Sequence, residues 1–176
     1  MTAALINKKW TLGSRPQTTV SKEHFNFETE TVRDLADGEF LVKNQYLSFE
    51  PAQRGWLNDV RSYVPPVAIG EVMRSVAAGE VIASKHADYR VGDRVQGGFG
   101  WQEYAISDGS GLFPVTKVPG DMPLSYPLHI YGLTGLTAYF GLLDIGQPKA
   151  GETVLISGAA GATGSTVGQI AKLKGC

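Results

Sequence analysis

The chain has 176 residues with 43% hydrophobic residues and a formal net charge of −1, which is enough to bury one good core in a soluble globular protein. Balanced charge with 10% aromatic residues excludes disorder as the main state, and the lack of positive net charge argues against nucleic-acid and anionic-membrane binding. A single cysteine, Cys176, excludes an internal disulfide framework and a multi-cysteine zinc site.

The first ten residues do not have the pattern of a secretory leader. Lys8 and Lys9 follow an apolar run of only four residues, Ala3–Ile6. A leader needs about 7–15 apolar residues in a row, and a membrane span needs about 18. We therefore expect a cytoplasmic protein that binds neither membranes nor nucleic acid.

Short strands are predicted over the first two thirds of the chain. Alternating or apolar segments recur between turn residues, at 25–29, 40–49, 67–76, 79–84, 94–96 and 102–106. Asp37-Gly38 and Gly97-Gly98 are typical of the turns between such strands. Pro51–Asp59 lacks alternation and predicts a helical turn. Residues 1–125 are therefore predicted to form a barrel or sandwich-like β lobe.

Helical periodicity begins after about residue 123. One apolar stripe is formed by Leu136, Tyr139, Phe140 and Leu143. This spacing predicts a helix with Thr134 as its N-cap, which ends near Gly146. We expect Tyr139 and Phe140 to lie in the core.

A strand, a glycine-rich turn and a second helix are predicted next. Thr153–Ser157 has the composition of a buried parallel strand, and a helix is predicted from about Thr163 to Lys174, with Gly175 as its stop. One such unit leaves its strand without neighbours and is not stable alone. We therefore expect residues 126–176 to begin a doubly wound domain, in a chain that is a fragment or is completed by another chain.

Glycines at 158, 161 and 164 separate this strand from its helix. Such a turn points free backbone N–H groups at a diphosphate, and the helix dipole adds partial positive charge. Gly161 would let the backbone approach the phosphates, and Gly164 would let the helix pack closely on the strand. The spacing differs from the standard Gly-x-Gly-x-x-Gly. The alternative that this glycine-rich turn binds no ligand therefore stays open. The phosphate-loop pattern of ATPases is absent.

Several stretches resemble the medium-chain dehydrogenase/reductase superfamily, and most closely its zinc-independent, NADPH-dependent double-bond reductases. They are Tyr46–Pro51, Gly100–Tyr104, Gly132–Tyr139, Gly151–Gly161 and Gly164–Cys176. The resemblance extends from Trp10 to the end. It implies an α/β fold with a mainly-β lobe: a GroES-like β-barrel lobe (1–125), followed by the first βα unit of a Rossmann doubly wound domain (126–176). It also implies NADPH as cofactor, a small enal or enone as substrate, and a homodimer.

The resemblance also assigns site residues. Those expected at the cofactor are Thr137, Ala160, Gly161, Thr163 and Gly164, and those expected to line the substrate pocket are Ala52, Gln53 and Leu133. For Thr137 a helix-capping or core role stays open, and for Leu133 a core role. No catalytic residue is assigned.

The sequence departs from the family pattern at two places. Zinc-dependent relatives carry a Gly-His-Glu motif and cysteine ligands, but Ile69–Val72 holds neither His nor Cys. Because His24, His86 and His129 are scattered, we expect no metal. Where the reductases often carry Asp-Pro-Tyr-Met-Arg-Gly, this chain has Glu50–Gly55, so Ala52 replaces a phenol that would face the substrate.

Three other side chains near these motifs are expected to be structural. We expect Arg54 to form a surface ion pair, and Trp56 and Trp101 to belong to the core of the β lobe. A functional role for Arg54, and a role of the two tryptophans as a substrate platform, stay open.

The implied reaction is conjugate reduction, in which hydride passes from the nicotinamide to the β-carbon of the substrate and a proton reaches the α-carbon. The hydride chemistry belongs to the cofactor, so an evident acid–base pair is not required. Two alternatives stay open: a quinone reductase of the same superfamily, and a catalytically silent GroES-like binding lobe.

Overall fold

The structure is a computed structural model that describes residues 4–176. Its contacts divide the chain into two compact units, the first ending at Leu124 and the second comprising Ser125–Cys176. No helix among the described residues is both long and apolar enough to cross a bilayer.

The first unit is built from strands, one short α-helix and a 3₁₀ helix at Lys22–His24. In chain order its elements are β1 (Ile6–Leu12), β2 (Phe25–Thr31), β3 (Phe40–Leu47), α1 (Ala52–Trp56), β4 (Ala77–Ser84), β5 (Arg94–Gly97), β6 (Tyr104–Ser107) and β7 (Thr116–Lys117). β1 and β2 form an antiparallel pair, and the other five form an antiparallel sheet in the order β6-β3-β4-β5-β7. The prediction of a mainly-β lobe is confirmed.

Two apolar clusters form the core of this unit. The first lies on the five-stranded sheet and includes Phe40, Val42, Val81 and Val95. The second lies beside α1 and includes Leu12, Trp56, Leu57, Val67 and Met73. Each fully buried aliphatic or aromatic side chain contributes about 1.5–3 kcal/mol relative to an exposed one.

The second unit is helical. Its main elements are α2 (Leu133–Phe140), a π-helical turn (Gly141–Gly146) and α3 (Ala162–Leu173), and α2 packs against α3. Gln147 takes the left-handed conformation with φ of 47° where the π-helical turn ends, and Gly175 does so with φ of 81° just after α3. The predicted ends of both helices are therefore confirmed.

Several sequence predictions in the first unit are confirmed and two need correction. The predicted strands at 25–29, 40–49, 79–84, 94–96 and 102–106, and the helical turn at 51–59, all correspond to observed elements. Residues 67–76 do not form a strand, because Val72 makes only an isolated bridge to Thr11 before β4 begins. β1 was not predicted at all.

The predicted strand Thr153–Ser157 is also wrong for this structure. The segment has no ladder partner among residues 4–176, and the Leu155 side chain is 97% exposed. A β-strand is defined by its pairing with a neighbour, so composition alone does not produce one.

Two predictions about α2 are wrong as well. The N-cap is Gly132, and Thr134 lies inside the helix, where its hydroxyl donates to the His129 carbonyl over 2.9 Å. Tyr139 and Phe140 are about half exposed, whereas the buried positions of α2 are Gly135 and Ala138. Small residues occupy the buried positions, and at Gly135 a Cβ would collide with the Ile130 carbonyl.

Candidate functional site

The glycine turn before α3 is closed by its own backbone. Gly158 has φ of 60°, a conformation that favours glycine, and its carbonyl accepts a hydrogen bond from the Gly161 N–H over 2.9 Å. Gly161 is the N-cap of α3 in an extended conformation, and its carbonyl accepts the first helical bond, from the Ser165 N–H. The chain therefore turns directly into the helix.

Close backbone approach explains two of these glycines. A Cβ on Gly164 would collide with the Gly158 carbonyl, and one on Gly161 would lie 3.2 Å from the same oxygen. The prediction that Gly164 packs on the preceding strand is thus corrected, because Gly164 packs on the turn. Contact with the extended segment is made by Gly168, whose Cβ would lie 3.6 Å from Ile156 Cδ1.

The first turn of α3 has the electrostatics of an anion site. The opening N–H groups of a helix have no partner within the helix, and Gly161 has no side chain to cap them. No acidic residue lies in this turn, so the positive end of the helix dipole is not compensated there. Ala160 is exposed and Thr163 is half-buried. The turn can therefore receive a phosphate group from solvent.

α2 carries two further candidate residues. The Thr137 hydroxyl donates to the Leu133 carbonyl over 2.7 Å, and Thr137 is exposed. Leu133 is 71% exposed, so it is not a core residue of this unit. Both residues lie on α2, which packs against α3, the helix that follows the glycine turn.

Sequence reasoning did not assign roles to Gly132 and Gly135, although the structure requires both. A Cβ at Gly132 would collide with the Pro127 carbonyl, and one at Gly135 would collide with the Ile130 carbonyl. The sequence signal that could have indicated these roles is the pair of glycines three residues apart at the start of the predicted helix. They place the N-terminal end of α2 tightly on the preceding loop.

Two of the three substrate-side candidates, Ala52 and Gln53, lie in the first unit on α1. Ala52 is half-buried, and Gln53 is only 6% exposed. The Gln53 amide donates from Nε2 to the Ser48 carbonyl over 2.9 Å, so its polar end is held inside the unit. The neighbouring Phe49 is 74% exposed, and its ring centroid lies 5.3 Å from that of Trp101.

Three neighbouring side chains have the following surroundings. Arg54 donates to Asn58 Oδ1 over 2.7 Å and to the Thr18 carbonyl over 2.9 Å. The prediction that Arg54 forms an ion pair is wrong, because none of the ion pairs among residues 4–176 includes Arg54. Trp56 is 5% exposed, and Trp101 packs against the same apolar cluster.

The histidines lie in separate surroundings. His24 Nδ1 lies 3.0 Å from the Ser21 hydroxyl, His86 packs on Phe40, and His129 lies in the second unit. Within the part of the chain that the structure describes, no three His, Cys, Asp or Glu side chains are placed to hold a metal ion.

The clearest carboxylate pKa shifts belong to surface contacts of the β lobe. The side-chain hydrogen bonds from Arg33, at 2.7 Å, lower the pKa of Glu39 to about 2. A hydrogen bond from Lys117 lowers the pKa of Asp93, and one from Ser110 lowers that of Asp108. These groups stabilise loops and strand ends.

Comparison with known proteins places this arrangement in a family. Residues 8–115 match the family described as the N-terminal domain of oxidoreductase. Over 172 residues the chain is 46% identical to the NADPH-dependent curcumin reductase of Escherichia coli, covering 97% of this chain and 49% of that protein. The chain belongs to the medium-chain dehydrogenase/reductase superfamily.

Other members of the superfamily give the same result. Prostaglandin reductase 1 of mouse is 41% identical over 171 residues, covering 96% of this chain and 50% of that protein. The crystal structure of CurA from Vibrio vulnificus in complex with NADPH superposes with a TM-score of 0.86 at 45% identity, covering 96% of this chain and 50% of that one. The chain spans about half the length of the curated relatives it matches. The predicted fold class, a GroES-like lobe followed by the start of a Rossmann domain, is confirmed.

Proposed function

We propose that the chain supplies the substrate lobe (1–125) and the first part of the cofactor lobe (126–176) of a zinc-independent, NADPH-dependent reductase. Its reaction is reduction of the C=C bond of α,β-unsaturated aldehydes or ketones, in a cytoplasmic homodimer. The observation that carries the proposal is the glycine turn before α3, which is closed by the Gly161–Gly158 hydrogen bond and has no acidic residue in its first turn. The names of the relatives support the choice of NADPH and of a double-bond substrate.

In this proposal, different residues of the second unit contact different parts of the cofactor. The N–H groups of the first turn of α3, from Thr163 and Gly164, are our candidates for holding a diphosphate, and Ala160 and Gly161 carry no large side chain. Thr137 on α2 is exposed and is our candidate for a contact with the nicotinamide ribose or amide. NADPH, when bound, supplies the hydride for the β-carbon of the substrate.

Each unit offers a candidate for contact with the substrate in this proposal. In the first unit, Ala52 leaves space where relatives often carry a tyrosine, and in the second, Leu133 offers an exposed apolar side chain. Fixing the substrate carbon against the cofactor and excluding water are the contributions that such residues can make.

The first test is a calorimetric titration of the protein at its native length with NADPH, and with NADH for comparison. Gly161→Ala is the informative variant, because φ at this position is −75° and its methyl group would lie 3.2 Å from the Gly158 carbonyl, on the turn. Gly168→Ala is its matched control on the same helix, since that methyl group would make only an ordinary contact with Ile156. We expect NADPH to bind more tightly than NADH, Gly161→Ala to weaken binding, and Gly168→Ala to leave it unchanged.

Substrate class is then tested by NADPH consumption with an enone and with a quinone. Consumption with the enone alone supports the proposal. Consumption with the quinone alone favours the quinone reductase, and absence of NADPH binding by the intact protein favours a silent binding lobe.

A further inference from the structure

The turn between β3 and α1 is anchored at one backbone oxygen. The Ser48 carbonyl accepts a hydrogen bond from Gln53 Nε2 over 2.9 Å and lies 2.7 Å from the Ser75 hydroxyl. Ser75 is fully buried and Gln53 is 6% exposed. A carbonyl has two lone pairs, so both can be occupied by side chains from different parts of the unit.

The two donors are not equivalent. The Ser75 hydroxyl has one proton and also lies 2.9 Å from the Val76 carbonyl, so that proton is shared between two acceptors. The Gln53 amide reaches the Ser48 carbonyl from inside α1 and therefore ties the helix back to the end of β3. The backbone supports the same anchor, since the Ser48 N–H donates to the Val76 carbonyl over 2.9 Å.

Between these anchors the chain projects outwards. Phe49 is 74% exposed, and Glu50 is held by the Ser48 hydroxyl over 2.8 Å. The Glu50 carbonyl in turn accepts from the Gln53 N–H over 3.0 Å. The Phe49 ring packs on Trp101, and the buried hydrogen bonds at the Ser48 carbonyl fix the backbone of the turn.

We infer that Gln53 and Ser75 are positioning residues for substrate binding: through the Ser48 carbonyl they fix the conformation of the turn that presents Phe49 and Ala52. This inference rests on the proposed function, in which Ala52 lines the substrate pocket. It changes the role expected for Gln53, which acts through the backbone and not by touching the substrate. A buried polar network of this kind selects one conformation from several of similar packing.

The test compares Gln53→Met and Ser75→Ala with Gln96→Met. Methionine matches glutamine in length and removes the donor, and Gln96 is a suitable control because its amide bonds to Thr116 on the sheet, away from α1. Kinetics with NADPH and 3-penten-2-one give KM and kcat. We expect Gln53→Met to raise KM by about fivefold, the equivalent of one lost hydrogen bond, with kcat nearly unchanged. Ser75→Ala should act in the same direction, and Gln96→Met should change neither constant.

A second variant separates positioning from general destabilisation. In Gln53→Glu a carboxylate would face the Ser48 carbonyl and could not donate, whereas the protonated acid can. The KM of Gln53→Glu should therefore fall towards the wild-type value as pH is lowered, while KM of the Gln53→Met variant shows no such recovery. A lower melting temperature with unchanged KM in both variants would overturn the inference.

Hydrogen exchange tests the inference without catalysis. The amides of Ser48 and Gln53 are both hydrogen-bonded, and we expect them to exchange faster in Gln53→Met than in Gln96→Met. If the wild type shows no enone reduction, the proposed function fails, and faster exchange still supports the anchor. Unchanged exchange at both amides overturns the inference whatever the activity.

Discussion

At the scale of single residues, two glycines of the first unit should respond to alanine in opposite directions. A Cβ at Gly79 would collide with the Lys43 carbonyl on β3, whereas Gly55 in α1 has no atom within 4 Å of its ideal Cβ position. We expect Gly79→Ala to lower the free energy of unfolding by about 1–3 kcal/mol through overpacking. Gly55→Ala should raise it by about 0.4–1 kcal/mol, because alanine restricts the unfolded chain. Urea unfolding measures both, and equal effects would contradict the structure.

The pairing of Glu39 with Arg33 predicts a pH dependence. The pKa of Glu39 is lowered from an ordinary value of 4.5 to about 2 by the Arg33 hydrogen bonds and by one from the Ala36 N–H. A lowered folded-state pKa stabilises the fold above the unfolded value, and this stabilisation is lost as pH falls from about 4.5 towards about 2.

The corresponding experiment compares wild type with Glu39→Gln. Urea unfolding at pH 7 should show the variant to be less stable, and the difference should shrink as pH falls from 4.5 towards 2. A stability difference that stays constant over this range would show that the ion pair contributes nothing pH-dependent.

At the scale of elements, one substitution in the first turn of α3 should have opposite effects on the stability of the helix and on anion binding. Thr163→Glu places a negative charge at the positive end of the helix dipole and should raise the free energy of unfolding by about 0.3–1 kcal/mol. The same charge would repel a phosphate, so we expect NADPH binding to weaken at least about tenfold. Gln169→Glu, at an exposed mid-helix position, is the control for added charge. Unchanged NADPH binding in Thr163→Glu would show that the diphosphate does not bind at this turn.

The helices and strands that could be predicted are those whose sequence signals lie within a few neighbouring residues. The glycine stop of α3 and the helical turn after Pro51 follow from nearby residues, and both were predicted. β1 was missed because Lys8 and Lys9 interrupt its apolar pattern, yet it is held by pairing with β2. Thr153–Ser157 fails in the opposite way, since its composition favours a strand but no neighbour pairs with it among the described residues.

The candidate site shows the same division. The glycine turn was found because its spacing lies within seven residues. The link from Gln53 and Ser75 to the Ser48 carbonyl was not found, because it joins positions up to 27 residues apart and ends on a backbone atom that carries no sequence pattern.

At the scale of the whole molecule, the two units should differ in stability. The first unit contains two buried apolar clusters, whereas the second leaves Leu155 and Leu173 97% and 87% exposed. Native-state hydrogen exchange of this chain should therefore show slow exchange in the β3–β4 ladder and fast exchange over Ser125–Cys176. Equal protection in both units would show that they unfold together.

The anchored turn before α1 also bears on how such a protein can change over generations. Its conformation is held by bonds to a main-chain oxygen, and the side chain at position 52 takes no part in them. Replacements at Ala52 can therefore change the side chain at this position without removing those hydrogen bonds. Because Ala52 is half-buried and packs against the apolar cluster beside α1, that cluster has to accommodate a larger replacement, and selection for folding limits which residues can appear there.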